Sequence, residues 1–259
     1  MNIELDRIYN MDCLEGMKQI PDGTIDAVIC DLPYGTTDCA WDSVIPLDVL
    51  WREYHRICKP SAVILLFGSE PFSSELRMSN LKEWRYDWIW HKNSSAGFIH
   101  AHNRPLKDYE IVSAFCQYGM GHETTMGGKR MPYNPQGLVK TYKVIHNKVR
   151  DKDSLIGGRP AQGKDTIQEW TNYPHTTLHF DKEGDAWHPT QKPVDLLRYL
   201  IKTYTNEGDT VLDNCMGSGT TAIACIKERR HFIGFELSKE YFDKAVRRIK
   251  AEQAQLTLF

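Results

Sequence analysis

The chain has 259 residues, of which 41 % are hydrophobic, and a formal net charge of −2. This length and composition suit one soluble α/β core with an inserted element, and no apolar run approaches the roughly 20 residues that span a bilayer. Acidic residues near the N-terminus are not typical of a secretory signal. The seven cysteines form no C-x-x-C pair, so we expect small core residues in a reducing cytosol.

Short apolar runs alternate with segments of helical spacing along the first half of the chain. This alternation is typical of a mostly parallel sheet covered by helices. In chain order the sequence predicts a strand at 7–10, a helix from 12 to 20, a strand at 25–31, a helix at 47–58, a strand at 62–67, a helix at 71–80, and strands at 84–91 and 109–117.

The tetrapeptide Asp31-Leu32-Pro33-Tyr34 ends one of the predicted strands. It places a carboxylate, a proline and an aromatic ring at the edge where open α/β sheets bind ligands. The lone pair of an exocyclic amino nitrogen is delocalised into its ring. Two acceptors, the carboxylate of Asp31 and a backbone carbonyl, would localise that pair while Tyr34 stacks on the flat base. The alternative is a capping Asp followed by a Pro turn.

Residues 119 to 186 are rich in Gly, Pro, Asn, Thr and Lys and show little periodicity, so we expect a functional insertion or a disordered segment. No Asp or Glu occurs between Thr124 and Arg150, where six cations accompany Tyr133 and Tyr142. This distribution predicts a surface that recognises DNA, and a solvated loop is the alternative. The cations are Lys129, Arg130, Lys140, Lys143, Lys148 and Arg150.

A second motif follows the strand predicted at 210–213, which runs into the loop Asp213-Asn214-Cys215-Met216-Gly217-Ser218-Gly219-Thr220-Thr221. A helix is predicted at 222–227, and the next strand, from His231, ends in Glu236. Strand, glycine turn and helix begin a nucleotide-binding unit, in which glycines let the backbone approach a ligand closely. The third glycine of the dinucleotide fingerprint is missing, so a nucleoside without a pyrophosphate fits better. Glu236 would accept hydrogen bonds from its ribose hydroxyls.

Together these motifs resemble those of the amino-group DNA methyltransferases that use S-adenosylmethionine. That family combines a D/N/S-P-P-Y motif with a loop such as D-P-F-x-G-S-G-T-T. Two further stretches are similar to its signatures, His188-Pro189-Thr190-Gln191-Lys192-Pro193 and Met11-Asp12-Cys13-Leu14. The catalytic motif comes first and the cofactor loop last, as in the circularly permuted beta class. Leu32 replaces the first proline of the catalytic motif, and Asn214-Cys215 replaces Pro-Phe in the cofactor loop.

The resemblance implies a Rossmann-like methyltransferase sheet, in which strands 84–91 and 109–117 pair antiparallel at one edge. It divides the chain into a catalytic half (1–118), a target-recognition insertion (119–186), a cofactor-binding half (187–252) and a C-terminal tail (253–259). It also assigns catalysis to Asp31, Pro33 and Tyr34, which would hold a base flipped out of double-stranded DNA. The residues that it assigns to S-adenosylmethionine are Asp12, Asp31, Lys192, Asp213, Gly217, Ser218, Gly219, Thr220 and Glu236.

In this family an Asp at the head of the motif usually accompanies adenine, so we predict transfer to the N6 amino group of adenine. The first alternative is transfer to the N4 amino group of cytosine. A second is a relative that binds DNA but has no activity, and a third is an enzyme that acts on RNA or on protein amides. The expected location is the cytoplasm of a bacterial or phage-infected cell, and a homodimer is left open. No metal site is predicted, because His100 and His102 lack a partner at zinc-ligand spacing.

After a helix predicted from 238 to about 252, the chain ends in Gln255-Leu256-Thr257-Leu258-Phe259. This pentapeptide resembles the one by which bacterial proteins bind the replication sliding clamp. Its apolar anchors suit a preformed groove, which predicts clamp binding through Gln255, Leu256, Leu258 and Phe259. The alternative is a tail that packs on its own core or in a dimer.

Overall fold

The computed structural model describes residues 3–35, 43–147, 163–184 and 187–256. It divides into two compact units. The core unit comprises Met1–Asn134 and Thr176–Phe259, and the insert unit comprises Pro135–His175. In the part of the chain that is described, no helix combines the length and the apolar character needed to cross a membrane.

Strands and helices alternate along most of the core unit, and the insert unit contributes one pair of strands. In chain order the elements are β1 (Arg7–Asn10), α1 (Cys13–Met17), β2 (Ile25–Asp31), α2 (Leu47–Ile57), β3 (Cys58–Gly68), α3 (Phe72–Ser79), β4 (Trp84–Ala96), a 3-10 turn (Phe98–His100), β5 (Lys107–Phe115), α4 (Glu123–Met126), β6 (Val139–His146), β7 (Asp165–Thr171), β8 (Thr177–His179), α5 (Val194–Tyr204), β9 (Thr210–Asp213), α6 (Thr220–Lys227), β10 (His231–Glu236) and α7 (Lys239–Leu256).

The core unit is built on one sheet with the strand order β1-β10-β9-β2-β3-β5-β4-β8. All neighbouring strands are parallel except that β5 runs antiparallel to both β3 and β4. Strand β2 pairs directly with β9, with Val28 opposite Leu212. The ends of β2 and β9 therefore lie side by side at the centre of the sheet, and ligands of open α/β folds bind at such an edge.

Both faces of the central strands are buried, which explains their nearly continuous apolar sequences. In β2, Ala27 and Ile29 pack in the cluster that contains α5 and α6, whereas Val28 and Cys30 pack in the cluster that contains α1, α2 and α3. Each fully buried large apolar side chain stabilises the fold by about 1.5–3 kcal/mol. The two clusters fix the strand ends, and with them the residues that follow.

The Rossmann-like α/β sheet, the antiparallel pairing of β4 with β5 and most of the predicted elements are confirmed. Several boundaries are wrong. Helix α1 ends at Met17 instead of residue 20. Strand β3 begins at Cys58 instead of residue 62, and it can contain Pro60 because the register between β2 and β3 shifts at that point. Strand β4 continues to Ala96 and is not at the sheet edge, because β8 pairs beyond it.

The segment with little periodicity contains more regular structure than its sequence indicates. Strands β6 and β7 form an antiparallel pair in the insert unit, with a register shift between Lys140 and Lys143. That irregularity disturbs the alternation by which strands are recognised in a sequence. Strand β8 has three residues, too few to establish any period. The predicted boundaries 119 and 186 differ from those of the insert unit and stay a prediction.

Candidate active site

A cavity of about 540 Å³ lies at the carboxyl ends of β2 and β9 in the core unit. Its walls include both motifs singled out in the sequence, although about 180 residues separate them along the chain. The predicted site residues that line it are Asp12, Asp31, Pro33, Tyr34, Lys192, Asp213, Gly217, Ser218, Thr220 and Glu236. Gly219 is the predicted residue of this group that does not line the cavity, and it forms the N-cap of α6 instead.

Asp31 ends β2 and lies in a chain of alternating charges. The Tyr34 hydroxyl donates to its Oδ1 atom and the Lys192 ammonium donates to its Oδ2 atom. Lys192 also lies 3.3 Å from Oε2 of Glu110, which is in turn paired with Lys92. The Lys192 side chain is only 8 % exposed, so its charge is balanced by these carboxylates and not by water.

Burial and charge act in opposite directions on this network. Burial raises the pKa of the Asp31 carboxyl, and the ammonium of Lys192 opposes the shift. Burial would lower the pKa of Lys192, but the charges of Asp31 and Glu110 outweigh it and raise that pKa above its ordinary value. Burial likewise acts to raise the pKa of Glu110, and Lys192 and Lys92 reverse the effect and lower it. Lys192 therefore stays charged between the carboxyl groups of Asp31 and Glu110.

Tyr34 is fixed on two sides. Its ring stacks on Phe72 of α3, with 5.1 Å between ring centroids and 28° between the planes, while its hydroxyl is bonded to Asp31. Burial, together with the charge of Asp31, raises the pKa of Tyr34 well above its ordinary value, so the hydroxyl stays a donor. A planar aromatic ring therefore stands at the cavity wall beside the carboxyl oxygens of Asp31.

The loop between β9 and α6 is held by two buried carboxylates. Asp213 accepts the Cys215 N–H at 3.1 Å and the Thr221 hydroxyl at 2.5 Å. Glu236 accepts the Gly217 N–H at 2.8 Å and the Ser238 N–H at 2.7 Å. Each carboxylate oxygen has a second lone-pair site, so Glu236 can still accept a hydrogen bond from a ligand hydroxyl in the cavity.

The positions where the loop departs from the family pattern have defined contacts. Asn214 is buried and accepts the hydroxyl hydrogen of Tyr54 at 2.6 Å, which anchors the loop to α2. Cys215 lines the cavity together with Cys13. A hydrogen bond with the Cys215 thiol and burial raise the pKa of the Cys13 thiol, so Cys13 is protonated at neutral pH. Cys13 and Cys215 therefore supply small neutral groups to the cavity wall beside the cofactor loop.

Asp12 caps the helix that borders the cavity. Its Oδ1 atom accepts the N–H groups of Leu14 and Glu15 at 2.9 and 3.1 Å. A cap of this kind satisfies two of the free N–H groups at a helix start. Asp12 lies at the cavity, but its capping contact accounts for its position without a bound ligand.

The sequence interpretation gave no role to His188 and Glu110, which line the cavity. His188 lies 3.3 Å from the Thr190 N–H and 4.3 Å, between ring centroids, from Tyr241. Burial and the charges of Lys192 and Lys244 lower its pKa to about 4, so its ring is neutral at pH 7. Glu110 stands directly before the apolar run Ile111–Phe115, and an acid in that place was a signal that could have identified it from the sequence.

The predicted DNA-contacting cations belong to different units. Lys129 and Arg130 are exposed in the core unit, whereas Lys140 and Lys143 are exposed on β6 of the insert unit. Lys148 and Arg150 lie outside the described residues. Tyr133 packs 6.2 Å from Tyr204, between ring centroids. Tyr142 is exposed.

The C-terminal tail is described only in part. Helix α7 continues to Leu256, so two residues of the proposed clamp-binding peptide, Gln255 and Leu256, are helical. Leu258 and Phe259 lie outside the described residues, and clamp binding stays a prediction. Within the described ranges no cluster of three or more His, Cys, Asp or Glu side chains could hold a metal ion.

Comparison with known proteins gives matches over nearly the whole chain. The family model described as DNA methylase, of the N6/N4 methyltransferases, matches residues 25–247. The type II methyltransferase M.HpaI of Haemophilus parainfluenzae is 25 % identical over an alignment of 259 positions, which covers 95 % of this chain and 74 % of that protein.

Solved structures match as well. The M1.HpyAVI complex with S-adenosylmethionine has 26 % identity and a TM-score of 0.59, covering 93 % of this chain and 98 % of its own. The cytosine-N4-specific PvuII DNA methyltransferase has a TM-score of 0.66 at 15 % identity, with 95 % and 87 % covered, a likeness of fold alone.

Proposed function

This chain belongs to the N6/N4 DNA methylase family, and from that premise we propose that it transfers a methyl group from S-adenosylmethionine to the N6 amino group of adenine in DNA. One observation carries the proposal. Asp31, Pro33 and Tyr34 line the same cavity as Gly217 and Glu236, so an amino-group site and a nucleoside site share one space. Its volume of about 540 Å³ is in the range of small-molecule sites.

The residues present fit the cofactor. Glu236 offers acceptor positions for ribose hydroxyls, and Gly217, with φ +52°, keeps the backbone close to the cavity. A Cβ atom at Gly217 would lie 3.4 Å from the His188 ring, so the glycine also leaves room on this wall. When bound, S-adenosylmethionine supplies an electrophilic sulfonium methyl group.

The chain contributes positioning and electrostatics. The target base lies inside the duplex, so it must be extruded into the cavity at a cost of a few kcal/mol. Asp31 and the carbonyl of Pro33 would accept the amino hydrogens and localise the nitrogen lone pair, and Tyr34 would face the base. Both Asp31 oxygens already accept one hydrogen bond, and each has a further lone-pair site for the amino group. The ammonium of Lys192 opposes the rise in the pKa of Asp31 and so favours the carboxylate form, in which both oxygens are acceptors.

Adenine is proposed because Asp stands at the head of the catalytic motif. The same geometry would hold the amino group of cytosine, which has similar hydrogens. Contact with DNA is proposed for the cations between Thr124 and Arg150, and the cytoplasm, where bacterial DNA lies, is the proposed location.

The test is incubation of the purified protein with methyl-labelled S-adenosylmethionine and unmethylated DNA, followed by nucleoside mass spectrometry and mapping of the methylated sites. We expect N6-methyladenine from the unaltered protein and a loss of about 100- to 1,000-fold in rate for Asp31→Ala, because both acceptor oxygens of the side chain are removed. Asp243→Asn, at an exposed ion pair on α7, is the matched control and should keep its activity.

The outcomes separate the parts of the proposal. N4-methylcytosine would retain the reaction and overturn the choice of base. No label in DNA, with cofactor binding intact, would overturn DNA as the substrate. An active Asp31→Ala variant would overturn the role of the carboxylate.

A further inference from the structure

The turn between β4 and β5 carries two apolar side chains with no packing role. Phe98 and Ile99 are 82 % and 87 % exposed, the highest values among the large hydrophobic residues that the structure describes. Single exposed hydrophobic residues are ordinary on protein surfaces. Two consecutive ones at the tip of a hairpin need another explanation, since burial of neither contributes to the stability of the core.

The tip has a defined conformation. It starts at Gly97, whose φ of +87° is in the left-handed region, and continues as the 3-10 turn Phe98–His100. The His100 N–H donates to the Gly97 carbonyl at 2.9 Å, and the Arg104 N–H donates to the His100 carbonyl at 3.0 Å. The backbone therefore presents the two apolar side chains outward on an ordered turn.

The tip stands at the mouth of the cavity described above. Ala96 and Lys107 are paired across the hairpin directly before and after the tip, and both line the cavity that contains Asp31. Phe98 follows Ala96 by two residues, a chain length of about 7 Å. The tip is therefore within reach of a duplex that delivers a base to Asp31.

The charge around the tip suits a polyanion. From His91 to Lys107 the sequence has no Asp or Glu, and it contains Lys92, Arg104 and Lys107 together with three histidines. Arg104 and the histidines at positions 100 and 102 are exposed on the tip itself. Cations beside an apolar tip are the combination found where a protein approaches phosphates and inserts a side chain between bases.

We propose that Phe98 and Ile99 enter the DNA duplex as a wedge and fill the space that the target base leaves when it is extruded. The proposal rests on the proposed function and adds the residues that open the duplex. Phe and Ile are among the side chains that proteins insert between base steps. Extrusion costs a few kcal/mol, and a wedge that occupies the gap offsets part of this cost because it stacks on the bases left behind.

The test compares two substrates with one protein variant. Both are duplexes with the sequence found methylated in the mapping experiment, but in one the target base lies opposite an abasic site, where extrusion costs less. For Phe98→Ala/Ile99→Ala we expect kcat/KM to fall roughly 10- to 100-fold on the intact duplex and less than about threefold on the abasic one. Met78→Ala/Leu81→Ala, which truncates two other exposed hydrophobic residues outside the cavity, is the matched control.

The outcomes are distinct. A loss confined to the intact duplex, with cofactor affinity unchanged, supports the wedge. Equal losses on both substrates would show a structural role and overturn it, and an unchanged rate on the intact duplex would also overturn it. If the unaltered protein transfers no methyl group to either duplex, the proposed function itself fails, and the wedge fails with it.

Discussion

The ionised form of Asp31 offers acceptors at both oxygens, and the ammonium of Lys192 favours that form against the effect of burial. The two residues are 161 positions apart in the chain, and the ammonium lies between Asp31 and Glu110. A cation buried between two anions is balanced only while all three are present. The contribution of each residue to stability therefore depends on the others.

Lys192→Met should leave the Asp31 carboxylate buried without its partner. We expect the free energy of unfolding to fall by about 3–5 kcal/mol and methyl transfer to be lost. Urea unfolding of the single variants and of Lys192→Met/Asp31→Asn forms a double-mutant cycle. Asp31→Asn should recover stability in the Lys192→Met background because it removes the unpaired charge, and strictly additive effects would contradict the ion pair.

The raised pKa of Asp213 predicts that the stability of the fold depends on pH. Burial raises its pKa to about 6 in the folded protein, so between about pH 4 and pH 6 the folded state holds a proton that the unfolded chain has released. Raising the pH through this window therefore destabilises the fold, by an amount on the order of 3 kcal/mol. In the variant Asp213→Asn, the amide oxygen can still accept the Cys215 N–H, but the side chain does not titrate.

The stability of the unaltered protein relative to Asp213→Asn should thus be lower at pH 7.5 than at pH 4.5. Urea unfolding of both proteins at the two pH values gives this difference, because other titrating groups contribute equally and cancel. A difference that stays constant or grows with pH would contradict the raised pKa of Asp213.

At the scale of elements, Gly219 connects the cofactor loop to the packing of two helices. It caps α6 with φ +79°, and a Cβ atom there would lie 3.3 Å from Ala245 and Ile249 on α7. Gly208 has φ +84° in a turn with open space around it. The two glycines have the same backbone requirement, and only one of them has close neighbours.

Gly208→Ala should reduce the free energy of unfolding by about 1 kcal/mol through backbone strain alone. Gly219→Ala should reduce it by about 2–4 kcal/mol, because crowding against α7 adds to the same strain. Urea unfolding of both variants measures the two values. Equal losses of unfolding free energy in the two variants would show that α7 accommodates the added methyl group without an energetic penalty, and would contradict this prediction.

Elements whose signal is local could be predicted from the sequence. Strands β2, β9 and β10 are apolar runs that end at turn residues, and their positions were predicted within one residue. Strand β8 could not be, because three residues carry no period and only pairing with β4 makes them a strand. Pro60 follows the end of α2 but lies inside β3, so the strand begins earlier than the predicted residue 62.

The site shows the same division between local and distant information. Motifs contiguous in the chain identified Asp31, Tyr34, Gly217 and Glu236 as lining residues, because strand ends in such sheets meet at one edge. The contact of Lys192 with Glu110 joins residues from separate elements, and no spacing in the sequence encodes it. Phe98 and Ile99 carried no signal either, since an exposed position is revealed only by the fold.

At the scale of the whole molecule, the core unit supplies every residue that lines the cavity in the described part of the chain. Most residues of β6 and β7 in the insert unit are exposed. We therefore expect that replacing residues 135–175 by a Gly/Ser linker of about 15 residues, with a mean span of about 20 Å, leaves the core unit folded.

This variant should bind S-adenosylmethionine within about threefold of the unaltered affinity, and its DNA methylation should lose sequence preference. Calorimetric titration of the cofactor and mapping of methylated sites measure the two effects. Loss of cofactor binding would show that the core unit depends on the insert, and an unchanged site preference would place recognition elsewhere.

The pairing of β2 with β9 has a consequence for the order of events on the ribosome. Val28 meets its partner Leu212 only after some 180 further residues have been made, and until then one edge of β2 is open in the nascent chain. An apolar strand with an unpaired edge is a site of aggregation, and contacts of such sequence separation form slowly. The cavity between the two strand ends therefore cannot form until synthesis has passed β9, long after β2 itself has been made.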